Sequence, residues 1–394
     1  MDGTLTQTSL NPHMRSLFAP VIPTTFAPIS LAAFIPLSTD LLFPLMLIVN
    51  HRDPSHPRAG GAEDGLLETA TRLVRMGVEV HWLSEDFGGK REEELRGIHV
   101  VRRGNSLTLH LHSLLLARHY DVVLDSVAHA VPFLSNLTNP RTVAKVHHVH
   151  QEVLAYELPP YKAWPVRTAE KFCRLYSRVV VPSNATKEDA EKLLGVREEA
   201  ITVIPDGIDH SKFTPGEKGE PLVVWLHRLK RYKNPLDAIK AYRRAREMGL
   251  RARLVVAGGG DLEREVREEV GRTEGATYLG RVSDEEKRVL LRRAWLFLST
   301  SFVEGWGLSV LEANASGTPA LVYSVGSLKE LVKDGVNGVK VSYGDVEGLA
   351  RAMIHLFEDE VNLRRMWATS KEESLKYDWD ITAERYYNYL KGLA

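Results

Sequence analysis

A second cysteine is missing. Cys173 is the only one in 394 residues, so no disulfide can form within the chain. That fits a reducing cytosol, and a cytoplasmic location is expected. Cys173 lies in the helix-like stretch Glu170–Tyr176, where a packing role is expected of a small apolar side chain. Net charge is missing too: 51 Lys plus Arg balance 51 Asp plus Glu. No global electrostatic pull toward nucleic acid follows, although a local basic patch is not excluded. Charge of either sign is absent from Ser16 to Thr39, which has the look of a signal peptide or membrane span. Pro20, Pro23, Pro28 and Pro36 break that stretch, and a span needs about 20 residues of continuous helix. Two ligand signatures are lacking as well. The turn Gly60-Gly61 does not have G-x-G-x-x-G spacing, and Gly258-Gly-Gly260 does not complete it, because residue 263 is Glu. There is no G-x-x-x-x-G-K-[ST] loop either. A dehydrogenase and a P-loop enzyme thereby lose their main support.

What is present is the composition of an ordinary globular chain, 26% charged and 44% hydrophobic, long enough for two cores. Met46 is followed at once by the apolar Leu-Ile-Val49, a buried first strand. Residues 1–45 are therefore expected to be a disordered or non-native extension, with natural translation starting at Met46. A membrane-contacting arm is the second reading. Strands are expected at Met46–Asn50, Val78–Leu83, His99–Arg102, Val122–Leu124, Thr142–Val146, Val179–Val181 and Ile201–Val203, with helices between most of them. A helix over Glu63–Met76 ends at Gly77. The turn-rich stretch Pro205–Pro221 interrupts the rhythm. The alternation then restarts, with strands at Leu222–Leu226, Arg253–Ala257, Thr277–Leu279, Trp295–Ser299, Ala320–Tyr323 and Gly338–Val341. Helices are expected at 235–248, 261–271, 284–293, 307–316, 327–333 and 345–357. Strand–helix alternation with near-continuous apolar strands means parallel sheets covered on both faces. The expected division is a first α/β domain over 46–208, a second over 209–378, and an aromatic amphipathic terminal helix in 379–394. In such a chain the ligand site lies in the cleft at the carboxyl ends of the strands.

Four constellations lie at strand ends. Glu304-Gly-Trp-Gly-Leu-Ser-Val-Leu-Glu312 leads from a strand through a glycine turn into a helix. Glycines admit close approach, the free N–H groups of the helix start favour an anion, and two carboxylates suit the hydroxyls of a sugar. The plain alternative is a favourable charge at a helix start and a solvated face. Arg228 and Lys233, after the second domain's first strand, could neutralise a diphosphate; otherwise they form a basic surface loop. Gly60-Gly61 turns the first strand into the first helix. His147-His148-Val-His150 ends a first-domain strand. In an extended chain His148 and His150 share a face while His147 points away, so a zinc site would need a ligand from elsewhere.

From these residues the chain is similar to the retaining glycosyltransferases of family four, with the GT-B fold of two facing Rossmann-like domains. The resemblance runs from about Met46 to the C-terminus. It rests on Val181-Pro-Ser-Asn184, Ile204-Pro-Asp-Gly-Ile-Asp209 with Phe213-Thr-Pro215, Arg228 with Lys233, Glu304 with Glu312, and Ser316-Gly-Thr-Pro319 with Gly326, Glu330, Asp334-Gly and Asn337-Gly338. The resemblance implies transfer of a hexosyl group from a UDP- or GDP-sugar to a glycan or lipid-linked acceptor, with retained anomeric configuration. Arg228 and Lys233 would hold the donor diphosphate, Glu304 the donor sugar and Glu312 the ribose. Gly305, Trp306, Gly307 and Leu308 would contact sugar and phosphate through their backbone. Arg281 and Val282 would border the base, and Gly61 would face the diphosphate. His147 matches the active-site histidine, with His148 a close competitor. The donor is a substrate; neither metal nor cofactor is expected, and no nucleic acid. Peripheral contact with the inner face of a membrane is compatible with such acceptors. The terminal helix would cross back onto the first domain. Asp206 stands where Asn is usual, and Ser327 where a second glycine is usual; neither is expected to touch the chemistry. A nucleotide-sugar epimerase on the same fold and a non-catalytic sugar-nucleotide-binding module are the alternatives.

Overall fold

The computed structural model describes residues 44–393. The expectation for the extension lies outside these residues, apart from its last two. The first sheet comprises β1 (Leu45–Val49), β2 (Glu79–Ser84), β3 (Glu92–Leu95), β4 (Ile98–Arg102), β5 (Val122–Val127), β6 (Thr142–Val146), β7 (Val179–Val181) and β8 (Ile201–Val203). Its strand order is β3-β4-β2-β1-β5-β6-β7-β8, parallel throughout except for β3. Helices α1 (Gly61–Arg75), α2 (Thr108–Ala117), α3 (Gln151–Glu157), α4 (Pro160–Glu170) and α5 (Asn184–Asp189) connect it. The second sheet contains β9 (Leu222–Leu226), β10 (Arg253–Ala257), β11 (Ala276–Tyr278), β12 (Leu296–Ser299), β13 (Ala320–Tyr323) and β14 (Gly338–Val341), all parallel, in the order β11-β10-β9-β12-β13-β14. With it run α6 (Pro235–Glu247), α7 (Glu263–Gly271), α8 (Asp284–Arg293), α9 (Leu308–Ala315), α10 (Leu328–Leu331), α11 (Val346–Glu358), α12 (Glu360–Ser374) and α13 (Trp379–Lys391).

The central strands are buried along their whole length because helices cover both faces: every residue of β1, β5, β6 and β12 is buried, and most are apolar. Helix α13 turns its aromatic face to the first domain: Tyr386 and Leu390 join a core with Met46, Leu66 and Ala70. Thr382 Oγ1 donates to the Pro205 carbonyl at 2.8 Å.

Two parts of the chain escaped the sequence reading. The edge strand β3 is Glu-Glu-Glu-Leu, without apolar alternation. It exists because Arg96 and Gly97 both take positive φ (53° and 81°), the geometry of a tight hairpin turn. Its carboxylates also reach Arg102 and Arg103. Helix α12, unassigned from the sequence, starts at Asp359, whose side chain accepts from Asn362 N at 3.1 Å.

Candidate active site

The carboxyl ends of the two sheets face each other, and the sequence-predicted residues gather between them. In the first domain the loop after β1 is anchored by Asp53. It accepts from Arg102 Nε at 2.7 Å and Nη2 at 2.8 Å, from Ser84 Oγ at 2.7 Å and from Ser55 N at 2.9 Å. The loop ends in Gly60-Gly61, braced from behind by buried Glu63, which accepts from Gly60 N at 2.8 Å and Asn50 Nδ2 at 3.1 Å. The opposite wall is close: a Cβ on Gly60 would lie 3.9 Å from Arg228 Nη1, and one on Gly61 3.4 Å from Leu308 Cδ1.

In the second domain Lys233 sits in a short helical turn, Arg231–Lys233, and reaches back to form an ion pair with Glu304. Ser301 Oγ donates to the same carboxyl oxygen at 2.8 Å. Burial raises the Glu304 pKa, but the Lys233 ammonium, His227 and the Ser301 hydroxyl together outweigh it and hold the group below the ordinary value as a carboxylate. Glu312, just over one turn into α9, accepts from Lys287 Nζ at 2.8 Å. There burial wins, and its pKa stays above the ordinary value despite the lysine. Gly307 opens α9 at φ 91°, a conformation that glycine supplies without strain. Trp306 contributes only backbone here, because its ring turns into the core against Tyr377, with centroids 4.9 Å apart. Arg281 lies across Gly259, leaving 2.6 Å between its Nε and a Cβ placed there. Arg281 and Val282 line a crevice of about 310 Å³ with Leu279 and Leu290.

The histidines divide as strand alternation requires. His148 and His150 lie ring against ring, centroids 3.9 Å apart and planes tilted by 39°, while His147 Nε2 lies 3.0 Å from Ser126 Oγ. Burial pushes both His147 and His148 well below the usual imidazole value. Among the charges that add to this, His147 feels Lys145 and His148 feels Lys233 and Arg228. His148 is thus the ring that the donor-side cations act on, whereas the His147 carbonyl meets Gly305 across the cleft. Among the described residues no three His, Cys, Asp or Glu side chains are grouped to hold a metal ion.

Several functional positions had been missed. The Gly305 carbonyl accepts from Ser183 Oγ at 2.8 Å and Thr186 Oγ1 at 3.0 Å, which ties the Glu304 loop to the N-terminus of α5. Glu330 reinforces this by accepting from Asn184 Nδ2 at 2.9 Å and Ala185 N at 3.1 Å. The motif Val181-Pro-Ser-Asn184 is therefore a clasp between the domains. Gly258 and Gly260 take positive φ and lie on the backbone of His227 and Leu229, which seats the loop between Arg228 and Arg281. Asp206 and Ser327, the two departures from the family pattern, each brace a segment that leads to the site. Ser327 donates through both N and Oγ to the Glu304 carbonyl, each at 3.1 Å. Asp206 accepts from buried Lys145 at 2.7 Å, on the strand that delivers His147. A separate crevice of about 800 Å³ lies between α1, residues 209–212 and the start of α13, and none of the predicted site residues lines it. Several of its charges pair with one another: Glu68 holds Arg72 at 2.6 Å and Lys212 at 3.1 Å.

Residues 59–212 match the family model described as Glycosyltransferase Family 4, and residues 208–374 the model described as Glycosyl transferases group 1. The chain belongs to this family of glycosyltransferases and has the GT-B fold. The D-inositol 3-phosphate glycosyltransferase of Nocardia farcinica is 31% identical over 223 residues, which make up 50% of this chain and 49% of that protein. The matched stretch thus spans about half the length of that relative. Sucrose-phosphate synthase from Thermosynechococcus elongatus has a TM-score of 0.73 at 19% identity, covering 88% of this chain and 98% of that one. Anabaena HepE, solved in complex with UDP and glucose, has a TM-score of 0.70 at 19% identity, covering 89% of this chain and all (100%) of that one. At these identities the two solved structures speak for fold alone. Among the described residues no helix is long and apolar enough to cross a membrane.

Proposed function

We propose that the protein transfers a hexosyl group from a UDP- or GDP-sugar to a glycan or lipid-linked acceptor with retention of anomeric configuration. The observation that carries this is the largely buried Lys233–Glu304 pair in the cleft, with Arg228 facing the Gly60-Gly61 turn. In the free protein Lys233 and Glu304 neutralise each other. An incoming diphosphate competes for Lys233, and the released carboxylate accepts from sugar hydroxyls. Arg228, Lys233 and the free N–H groups at the start of α9 stabilise charge on the leaving diphosphate, so no metal ion is needed. That phosphate takes the acceptor's proton as attack proceeds on the same face. Glu312 and the Arg281–Val282 edge hold ribose and base. His147 and His148, kept neutral, line the acceptor side. The UDP bound to HepE and the inositol phosphate acceptor named for the Nocardia relative supply the first ligands to try.

The test is thermal shift with UDP, GDP and ADP, followed by donor turnover with and without EDTA and NMR of the product anomer. A nucleotide that binds only the folded state raises Tm. The expected results are a preference for one nucleotide, a rate indifferent to EDTA and a retained anomer. No shift with any nucleotide and no turnover of UDP- or GDP-hexoses would overturn the proposal; an epimerised donor without transfer would favour the epimerase reading.

A further inference from the structure

The strand end that carries His147 runs directly into α3 and α4, and the outer face of α4 is unlike the rest of the surface. Tyr161 and Trp164 on α4 are 73% and 70% exposed. Phe172 and Leu175, in the helical turn Lys171–Leu175 that follows, are exposed as well. The charges interleaved with them, Lys162, Arg167, Lys171 and Arg174, are all positive, and none is ion-paired among the described residues. Glu170, the one acid in the stretch, is buried and engaged by His150 and Gln151. A chain with no net charge thus gathers cations and aromatics on one face. The apolar surface continues sideways. Asn136 Nδ2 donates to the Leu175 carbonyl at 3.0 Å, which sets exposed Leu137 beside it. Thr138 Oγ1 donates to the Leu114 carbonyl at 2.9 Å, which brings up α2, where Leu111 and Leu115 stand exposed one turn apart. More than half of the exposed large apolar side chains named among the described residues fall between positions 107 and 175.

We propose that this face docks on an anionic lipid bilayer. Tyr and Trp settle at headgroup level, leucine side chains enter the acyl boundary, and Lys and Arg meet anionic headgroups. Charge complementarity points to anionic lipid, and the protruding leucines favour a bilayer over nucleic acid, since an aliphatic side chain offers a base no stacking face. Helix α3 joins this surface to the cleft. It begins next to His150 and packs Tyr156 on Phe302 of the donor loop, with ring centroids 5.7 Å apart. Docking would therefore set the acceptor side of the cleft beside the membrane. The inference does not depend on which sugar is transferred.

The experiment is vesicle sedimentation of the full chain on phosphatidylcholine with and without phosphatidylglycerol, without any donor. Three proteins are compared: the wild type, Lys162→Glu/Lys171→Glu/Arg174→Glu and Tyr161→Ala/Trp164→Ala. The wild type should sediment with the anionic vesicles only and be released by salt. At about fivefold per charge, the triple reversal should weaken binding by on the order of a hundredfold or more. The aromatic variant should lose at least about tenfold, and both variants should keep the wild-type Tm because every substituted side chain is exposed. Undiminished binding by folded variants would place any contact elsewhere, residues 16–39 included, and overturn the proposal. So would equal binding to neutral vesicles, no binding at all, or tighter binding to a single-stranded oligonucleotide at the same salt.

Discussion

Gly305→Ala should uncouple the two domains at the point where they touch. A Cβ at this position would fall inside the van der Waals envelope of the His147 carbonyl oxygen and 2.9 Å from His148 Cβ. Neither is the flexible end of a side chain, so the Glu304 loop and the end of β6 must separate. The separation strains two hydroxyl bonds to the Gly305 carbonyl, from Ser183 and Thr186. At about 1 kcal/mol each, plus about 1–3 kcal/mol for overpacking, the loss is roughly 3–5 kcal/mol. Glu304 is the next residue, and a shift of about 1 Å in a positioning group costs about a hundredfold in rate. The assay is release of nucleoside diphosphate at saturating donor, with Tm measured alongside. Turnover should fall by about a hundredfold and Tm by several degrees. Gly271→Ala is the control, because nothing lies within 4 Å of a Cβ there and α7 gains a better helix former. A Gly305→Ala protein with wild-type turnover and Tm would refute the tight contact and with it the clasp.

Three further outcomes follow from the same geometry. Lys233→Met leaves the Glu304 carboxylate buried without its cation, so turnover should fall by at least about a thousandfold and the Glu304 pKa should rise, read by NMR titration. Asp206→Asn strands the Lys145 ammonium in the core and should cost roughly 3–5 kcal/mol in urea unfolding. Lys145→Met/Asp206→Leu should recover most of it; no recovery would show that the pair is not the cause. The third concerns pH. Burial holds His51 at about 4, and His129 and His227 at about 3. An imidazole with a lowered folded pKa is protonated first in the unfolded chain, so stability is full above about pH 6.5 and falls as the pH drops toward 4. At pH 5 each such histidine costs at most about 2 kcal/mol, and Tm measured from pH 8 to 5 should decline accordingly; a flat profile would contradict the neutral histidines.

Most of the fold was legible because buried parallel strands write themselves as short apolar runs. Thr142–Val146, Leu222–Leu226 and Gly338–Val341 occupy the spans read from the sequence. Strand β3 was not legible, since three glutamates carry no apolar signal and the strand depends on a turn and on arginines from its neighbour. Within the site, Arg228, Lys233, Glu304 and Glu312 could be read because each follows a strand end or a glycine turn. Ser183, Lys287 and Ser327 could not, since each works on a residue far away in sequence. The pairing of His148 with His150 was readable from strand alternation. Which of His147 and His148 meets the donor-side charges was not.

By itself the sequence determined two βα arrays, the glycine turns at their strand ends and the carboxylates and cations beside them. Apolar periodicity and backbone freedom are local properties, and they survive in a one-dimensional record. Tertiary structure alone decided that Lys233 neutralises Glu304, that Asp206 pairs with the buried Lys145, and that Gly305 must be glycine because the His147 carbonyl occupies the space. Each of these depends on the distance between groups on different strands, and electrostatic pairing and steric exclusion act through that distance, not through separation along the chain.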